Sequence, residues 1–342
     1  MMTIVKDKQA IPPVKIAPVL FSTWALEAIK AAVQLDVCST IKAGKSTAEE
    51  IASSLKTSLR GTEALLDALV GMEILDKQNG RYKLNDMSSL YLLPDSPLFM
   101  GSFICSTEQM HSGWASLTDA VKTGKPCRQV NQDAEAEKFF PKLAAGIFPL
   151  NYANAQNLAD KLEINKLPQG AKVLDVAAGS AVWSIPMAAC NKGVKVDVLD
   201  FPAVLEVTKD FTTRFKVAEQ YTQIAGNWRD VKISPEHYDV VILGHILHSE
   251  GKELSIRLIA ECYKALKPGG RLVIAEFMPN DERTAPIQPL LFAINMFLAT
   301  ETGCVFSENE LKTILSEQGF KDAERLELPY WEKQSPIIVA RK

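Results

Sequence analysis

The chain has 342 residues, 47% hydrophobic and 23% charged, with a formal net charge of −3. That length holds two domains or one large domain with an extension, and the near-balanced charge excludes a nucleic-acid or anionic-membrane surface spread over the whole molecule. No apolar run reaches the roughly 18 residues a bilayer span needs, the polar stretch Met1 to Pro13 lacks the core of a secretory signal, and six scattered cysteines without a CxxC pair read as reduced thiols of a cytoplasmic protein.

In chain order, residues 16–125 read as mostly helical. Trp24 to Val33 combines helix formers with a broad apolar face. Thr47 and Glu50 make the spacing of a capping box and open a short helix; Ser58 precedes a second, with apolar residues at helical spacing over 62–69. Asn79-Gly80 between two short alternating runs predicts a hairpin. Helix, helix, hairpin is the pattern of a winged helix. Such a module can bind DNA, but residues 1–130 hold 14 Lys and Arg against 13 Asp and Glu, with no basic excess. A dimerising scaffold is the plainer reading.

The polar stretch 126–138 reads as a linker, and 139–162 as helix interrupted near Pro149. From Ala171 the pattern becomes short apolar runs alternating with helices. The runs are 172–176, 194–200, 238–243 and 271–276; the helix Ser255 to Leu266 closes on Lys267-Pro268-Gly269-Gly270. Apolar strands alternating with helices imply an α/β fold, a parallel sheet covered on both faces.

Ligands of such a sheet bind at the carboxyl ends of its strands. The first strand ends in Asp175-Val176-Ala177-Ala178-Gly179-Ser180-Ala181, a loop of small residues that lets backbone approach a ligand. It is a degenerate glycine loop, a poor pyrophosphate cradle, and tight strand–helix packing would explain it equally well. The second strand ends in Asp200, 25 residues after Asp175, where a carboxylate can accept both hydroxyls of a ribose; the bland alternative is a turn former. Gly226-Asn227-Trp228 offers an amide for an adenine edge and an indole for its face, or else a turn with a buried tryptophan.

These stretches, in order, resemble one family. VLDVAAGSA, VDVLDFPAVLEVTKD, YDVVILGHILHSE, ALKPGGRLVIAEFMPND and FSENELKTILSEQGF are similar to the catalytic domain of class I S-adenosylmethionine-dependent methyltransferases. The whole chain resembles the caffeate and acetylserotonin O-methyltransferases, especially their bacterial branch. STAEEIASSLKTSLRGTEALLDALVGMEILDKQNGRYKL resembles that family's winged-helix dimerisation domain. The resemblance implies a Rossmann-like, mostly parallel seven-stranded sheet behind a mainly helical N-terminal domain. It divides the chain into 1–125 for dimerisation, 126–170 for connecting helices and 171–342 for catalysis.

By this resemblance Gly179 and its neighbours contact the methionine part of the cofactor, Asp200 holds the ribose, Asn227 and Trp228 hold the adenine, and Asp175, Ala177 and Phe201 belong to the same cofactor site. Ile147 and Phe148 border cofactor and substrate. The His248 position is that of the family's general base, chemically sensible because a sulfonium is already an activated methyl donor and a neutral imidazole can take a phenol proton. Two features depart from the family pattern: Ser249 stands where an Asp follows the base, and an orienting acid is missing near Cys304-Val305. Glu276 matches an acidic position at the fourth strand's end and either supports His248 or anchors a loop. His245 is a second polar candidate for the substrate side, against a structural role. Met296 and Thr300, on an apolar helix that otherwise reads as core, occupy acceptor-lining positions, and Phe21 and Trp24 are placed to reach a partner subunit.

The expected activity is methyl transfer to a hydroxyl of a small aromatic or apolar secondary metabolite by a homodimer that needs no metal. Carbon or nitrogen methylation on the same scaffold is the enzymatic alternative. A winged-helix DNA-binding regulator is the alternative of another class.

Overall fold

Thr47 caps the helix Ala48–Leu55 as its spacing predicts. Its side chain accepts from the Glu50 backbone N–H at 3.3 Å, and the Glu50 carboxylate accepts from the Thr47 N–H at 3.1 Å. Ser58 caps the next helix, Leu59–Gly71, and the hairpin β1 (Leu75–Gln78) and β2 (Arg81–Leu84) follows. Both turn residues, Asn79 and Gly80, have positive φ, as a turn matched to strand twist requires.

The computed structural model describes residues 14, 16–106, 113–130, 133–326, 328 and 336–342; the N-terminal stretch Met1 to Pro13 lies outside them. The chain divides into two compact units, Met1–Cys105 and Ser106–Lys342. The first is mainly helical. Its core joins Ile51, Leu66, Leu69, Leu75 and Tyr82, and the Tyr82 hydroxyl donates to Asp67 at 2.7 Å. Ile16, Val19, Leu20, Phe21 and Trp24 are exposed, with the Phe21 and Trp24 rings 4.5 Å apart.

The second unit is built on a seven-stranded sheet of order β5-β4-β3-β6-β7-β9-β8. The strands are β3 (Lys172–Val176), β4 (Lys195–Asp200), β5 (Tyr221–Ala225), β6 (Tyr238–Gly244), β7 (Leu266–Ala275), β8 (Lys321–Leu326) and β9 (Ile337–Arg341). Strands β5, β4, β3, β6 and β7 run parallel, and β9 pairs antiparallel with both β7 and β8. The sheet interior is the continuous Val, Leu and Ile core that burial on both faces demands. The preceding helix ends at Ala265, as the stop signal predicts, and Lys267 to Gly270 form a bulge within β7: Tyr238 pairs with Leu266, and after a register shift Val240 pairs with Arg271.

The helix Asp133–Lys161 runs unbroken through Pro141 and also through Pro149, near which an interruption was expected. A proline inside a helix costs about 3 kcal/mol. Packing opposes that cost, because the fully buried Phe148 ring meets Phe211 at 4.3 Å and Phe215 at 5.2 Å. Among the described residues no helix is long and apolar enough to cross a membrane.

Candidate active site

The strand order reverses beside β3, the topological switch point beyond whose strands' carboxyl ends sheets of this kind bind ligands. The loop after β3 lies there. Ala177, Gly179 and Ala181 all have positive φ, a conformation that strains an alanine. A β-carbon on Gly179 would stand 3.3 Å from that of Ala144 on the helix Asp133–Lys161, so the glycine lets this helix close on the loop. Thr208 Oγ1 donates to the Gly179 carbonyl at 2.6 Å.

Asp200 ends β4 and fixes the loop. Its Oδ2 accepts the Gly179 N–H at 2.8 Å and its Oδ1 the Phe201 N–H at 2.7 Å, which leaves each oxygen a further lone pair. Burial pushes this carboxyl up to about 6, against the opposing effect of those two N–H groups. Asp175 lies deeper. Its carboxylate accepts from Ser184 Oγ at 2.6 Å, and burial, with Asp200 nearby, pushes it up to about 7. The two neighbouring carboxyls thus both resist ionisation.

After β5, Asn227 Oδ1 accepts the Arg229 N–H at 3.1 Å. The Trp228 indole is buried, flanked by the Arg229 and Arg257 guanidiniums at 5.9 and 5.7 Å, and its Nε1 meets no acceptor among the described residues.

His248 stands in the helical turn that opens Leu247–Ala265, ahead of the kink at Gly251 (φ 77°), and Glu276 just past β7; the structure brings them together. His248 Nδ1 lies 2.8 Å from Glu276 Oε2, and the His248 backbone N–H donates to Oε1 at 3.2 Å. Oε2 also accepts the Phe277 N–H at 3.2 Å. Burial alone would push the Glu276 carboxyl up; the charge and hydrogen bonds of His248, with His245 beside them, hold it below its ordinary value. His245, at the end of β6, has its Nδ1 4.0 Å from the same Oε2, and burial pushes its imidazole down to about 4.

Sequence reasoning missed the rings around this pair. Phe292 meets His248 edge-on at 4.8 Å, Phe277 stacks obliquely on Phe292 at 4.2 Å and on His245 at 4.9 Å, and Trp183 stands 5.9 Å from His245. Gly244 makes room for Trp183, since a β-carbon there would overlap the indole. It also missed the bidentate pair of Arg229 with buried Glu250, with contacts of 2.9 to 3.2 Å, which ties the loop after β5 to the helix carrying His248. No local pattern announces either arrangement.

Four expected residues sit less directly. Met296 and Thr300 are buried, and the Thr300 hydroxyl donates to the Met296 carbonyl and accepts the Gly303 N–H. Phe148 is buried in its aromatic cluster, and Ile147 beside it is half-buried.

Residues 114–321 match the O-methyltransferase domain model, and residues 18–94 match the O-methyltransferase dimerisation domain. The chain belongs to the O-methyltransferase family. It is 24% identical over 303 residues to 3-hydroxy-5-methyl-1-naphthoate 3-O-methyltransferase of Streptomyces sahachiroi, covering 84% of this chain and 86% of that one. A candidate O-methyltransferase structure from Nostoc punctiforme superposes with a TM-score of 0.81 at 27% identity, over 98% of this chain and 100% of the other. Human N-acetylserotonin methyltransferase, solved with S-adenosylmethionine, shares the fold with a TM-score of 0.79 at 21% identity, over 99% of each chain. This O-methyltransferase is S-adenosylmethionine-dependent, as its family is.

Proposed function

We propose that this O-methyltransferase methylates a phenolic hydroxyl of a small, planar aromatic metabolite, with His248 as general base and Glu276 as the residue that positions it. The observation that carries this reading is the buried His248–Glu276 pair, 2.8 Å between Nδ1 and Oε2, set among Phe277 and Phe292. Bound S-adenosylmethionine supplies a methyl group already activated by its sulfonium. Asp200 suits its ribose because both oxygens keep a lone pair after binding backbone, and the Gly179 loop suits its methionine part. Asn227 and Trp228, whose buried indole N–H meets no acceptor among the described residues, suit the adenine.

The protein's task is then orientation and one proton. Glu276 holds His248 through Nδ1, so Nε2 is the nitrogen left to take the phenol proton. Glu276 also stabilises the imidazolium that results. This carboxylate takes the part of the acids missing at Ser249 and Cys304. The aromatic rings grip a flat acceptor and keep water from it. The Streptomyces relative's hydroxynaphthoate marks the class of acceptor to try first. The exposed apolar face of the first unit, with Phe21 and Trp24, supports a homodimer.

Labelled S-adenosylmethionine and a panel of hydroxylated naphthoates test the reading. Wild type should place the label on a phenolic oxygen, and His248→Ala should lose about 10²- to 10⁴-fold in kcat. An unchanged rate removes the base, and label on carbon removes the oxygen acceptor.

A further inference from the structure

Proton transfer needs the His248–Glu276 pair alone, yet a third donor stands against the same carboxylate. His245 comes from the end of β6, His248 from the helical turn that follows and Glu276 from the end of β7. Their donor atoms, one per residue, all lie within 4.8 Å of one another. His245 Nδ1 and His248 Nδ1 are 4.0 and 2.8 Å from the single oxygen Glu276 Oε2. All three side chains are shielded, with 10, 11 and 1% of their surfaces exposed. The left-handed backbone of His245, φ 61°, turns the chain sharply here while its N–H donates to the Ala275 carbonyl at the end of β7.

We propose that His245, His248 and Glu276 form a binding site for a divalent transition-metal ion of the zinc class, and that filling it switches His248 off as a base. Two imidazoles and one carboxylate are a donor set that zinc and cobalt(II) accept, with a position left open for water. Metal–ligand bonds of about 2.0–2.2 Å can reach all three atoms after side-chain shifts of under about an ångström. The ion takes the place of the proton between His248 Nδ1 and Glu276 Oε2. A neutral ring that binds metal through Nδ1 carries its one N–H proton on Nε2, so coordination moves that proton across the ring and releases none. Nε2 then donates and can no longer accept from a phenol. The switch rests on the base reading above; the binding does not.

The full chain, freed of metal by chelation, is titrated with Co²⁺ in the absence of acceptor. One equivalent should produce visible d–d absorption that Zn²⁺ abolishes. His245→Asn and His245→Phe, each checked for retained S-adenosylhomocysteine binding, should weaken Co²⁺ by at least about tenfold. During turnover Zn²⁺ should inhibit wild type, a chelator should restore it, and His245→Asn should need about tenfold more zinc for the same fractional loss. No cobalt spectrum, equal affinity in both His245 variants, or an intense sulfur-to-cobalt band placing the ion on a cysteine overturns the site. Tight zinc binding without inhibition overturns the switch. The spectrum needs no turnover, so its failure is separate from failure of the proposed reaction.

Discussion

Replacing Glu276 with glutamine changes no volume and removes one charge, and its effect follows from the bonds this carboxylate makes. It accepts three: from the His248 backbone N–H at 3.2 Å, from His248 Nδ1 at 2.8 Å and from the Phe277 N–H at 3.2 Å. An amide has one acceptor oxygen and one donor group. If its oxygen serves Nδ1 and Phe277, its NH₂ faces the His248 N–H, donor against donor. If it flips, its NH₂ donates to Nδ1 and the ring proton moves to Nε2, where it blocks proton uptake. Both orientations lose the charge that stabilises the imidazolium. The expected fall in kcat is about 10²- to 10⁴-fold, or roughly 3–5 kcal/mol of barrier. S-adenosylhomocysteine affinity should stay within about twofold, so the loss appears in kcat and not in binding. Glu276→Asp, which keeps the charge, should recover at least about tenfold over the glutamine variant. Saturating assays with labelled methyl donor read all three. A glutamine variant within about threefold of wild type, with cofactor binding intact, would refute Glu276 as the group that positions the base.

Glu250→Ala leaves Arg229 beside a vacated acid site. Breaking a buried pair costs about 3–5 kcal/mol, and the 27% exposure of Arg229 places the urea-measured loss near the low end; a loss under about 0.5 kcal/mol would make the pair a surface decoration. Trp24→Glu puts a charge in the exposed apolar face and should shift the molecular mass by light scattering from dimer towards monomer; an unchanged dimer would place the interface elsewhere. The Asp200 carboxyl, raised to about 6 by burial, keeps its proton below that pH and must lose it to accept two hydroxyls. S-adenosylhomocysteine affinity should therefore weaken by up to about tenfold per unit as pH falls below about 6. Titration calorimetry across that range checks it, and a flat profile contradicts it. In the free protein the sign is opposite: the raised carboxyl contributes stability that is present at low pH and lost as pH rises through about 6.

What the sequence made legible is local chemistry. The Thr47–Glu50 capping box and the Asn79-Gly80 turn depend on neighbours within a few residues, and both stand as read. The strands β3, β4, β6 and β7 announce themselves as apolar runs because both sheet faces are buried. The polar, half-exposed β5 gives no such run. The meeting of His248 with Glu276 spans 28 residues of chain and was legible only through resemblance. The Arg229–Glu250 pair, the Phe277–Phe292 stack and Trp183 over Gly244 arise from tertiary closure, which no spacing encodes. The helix through Pro149 fails the local rule for the same reason: the rings of Phe148, Phe211 and Phe215 outweigh the proline.

Calorimetric titration of S-adenosylhomocysteine into wild type and Asp200→Asn tests the central claim most directly. The account predicts one site per chain in the wild type and at least about tenfold weaker binding in the variant, whose amide can accept at one oxygen only. Equal affinities would move the nucleoside away from the end of β4, and no binding heat in the wild type would contradict the account itself.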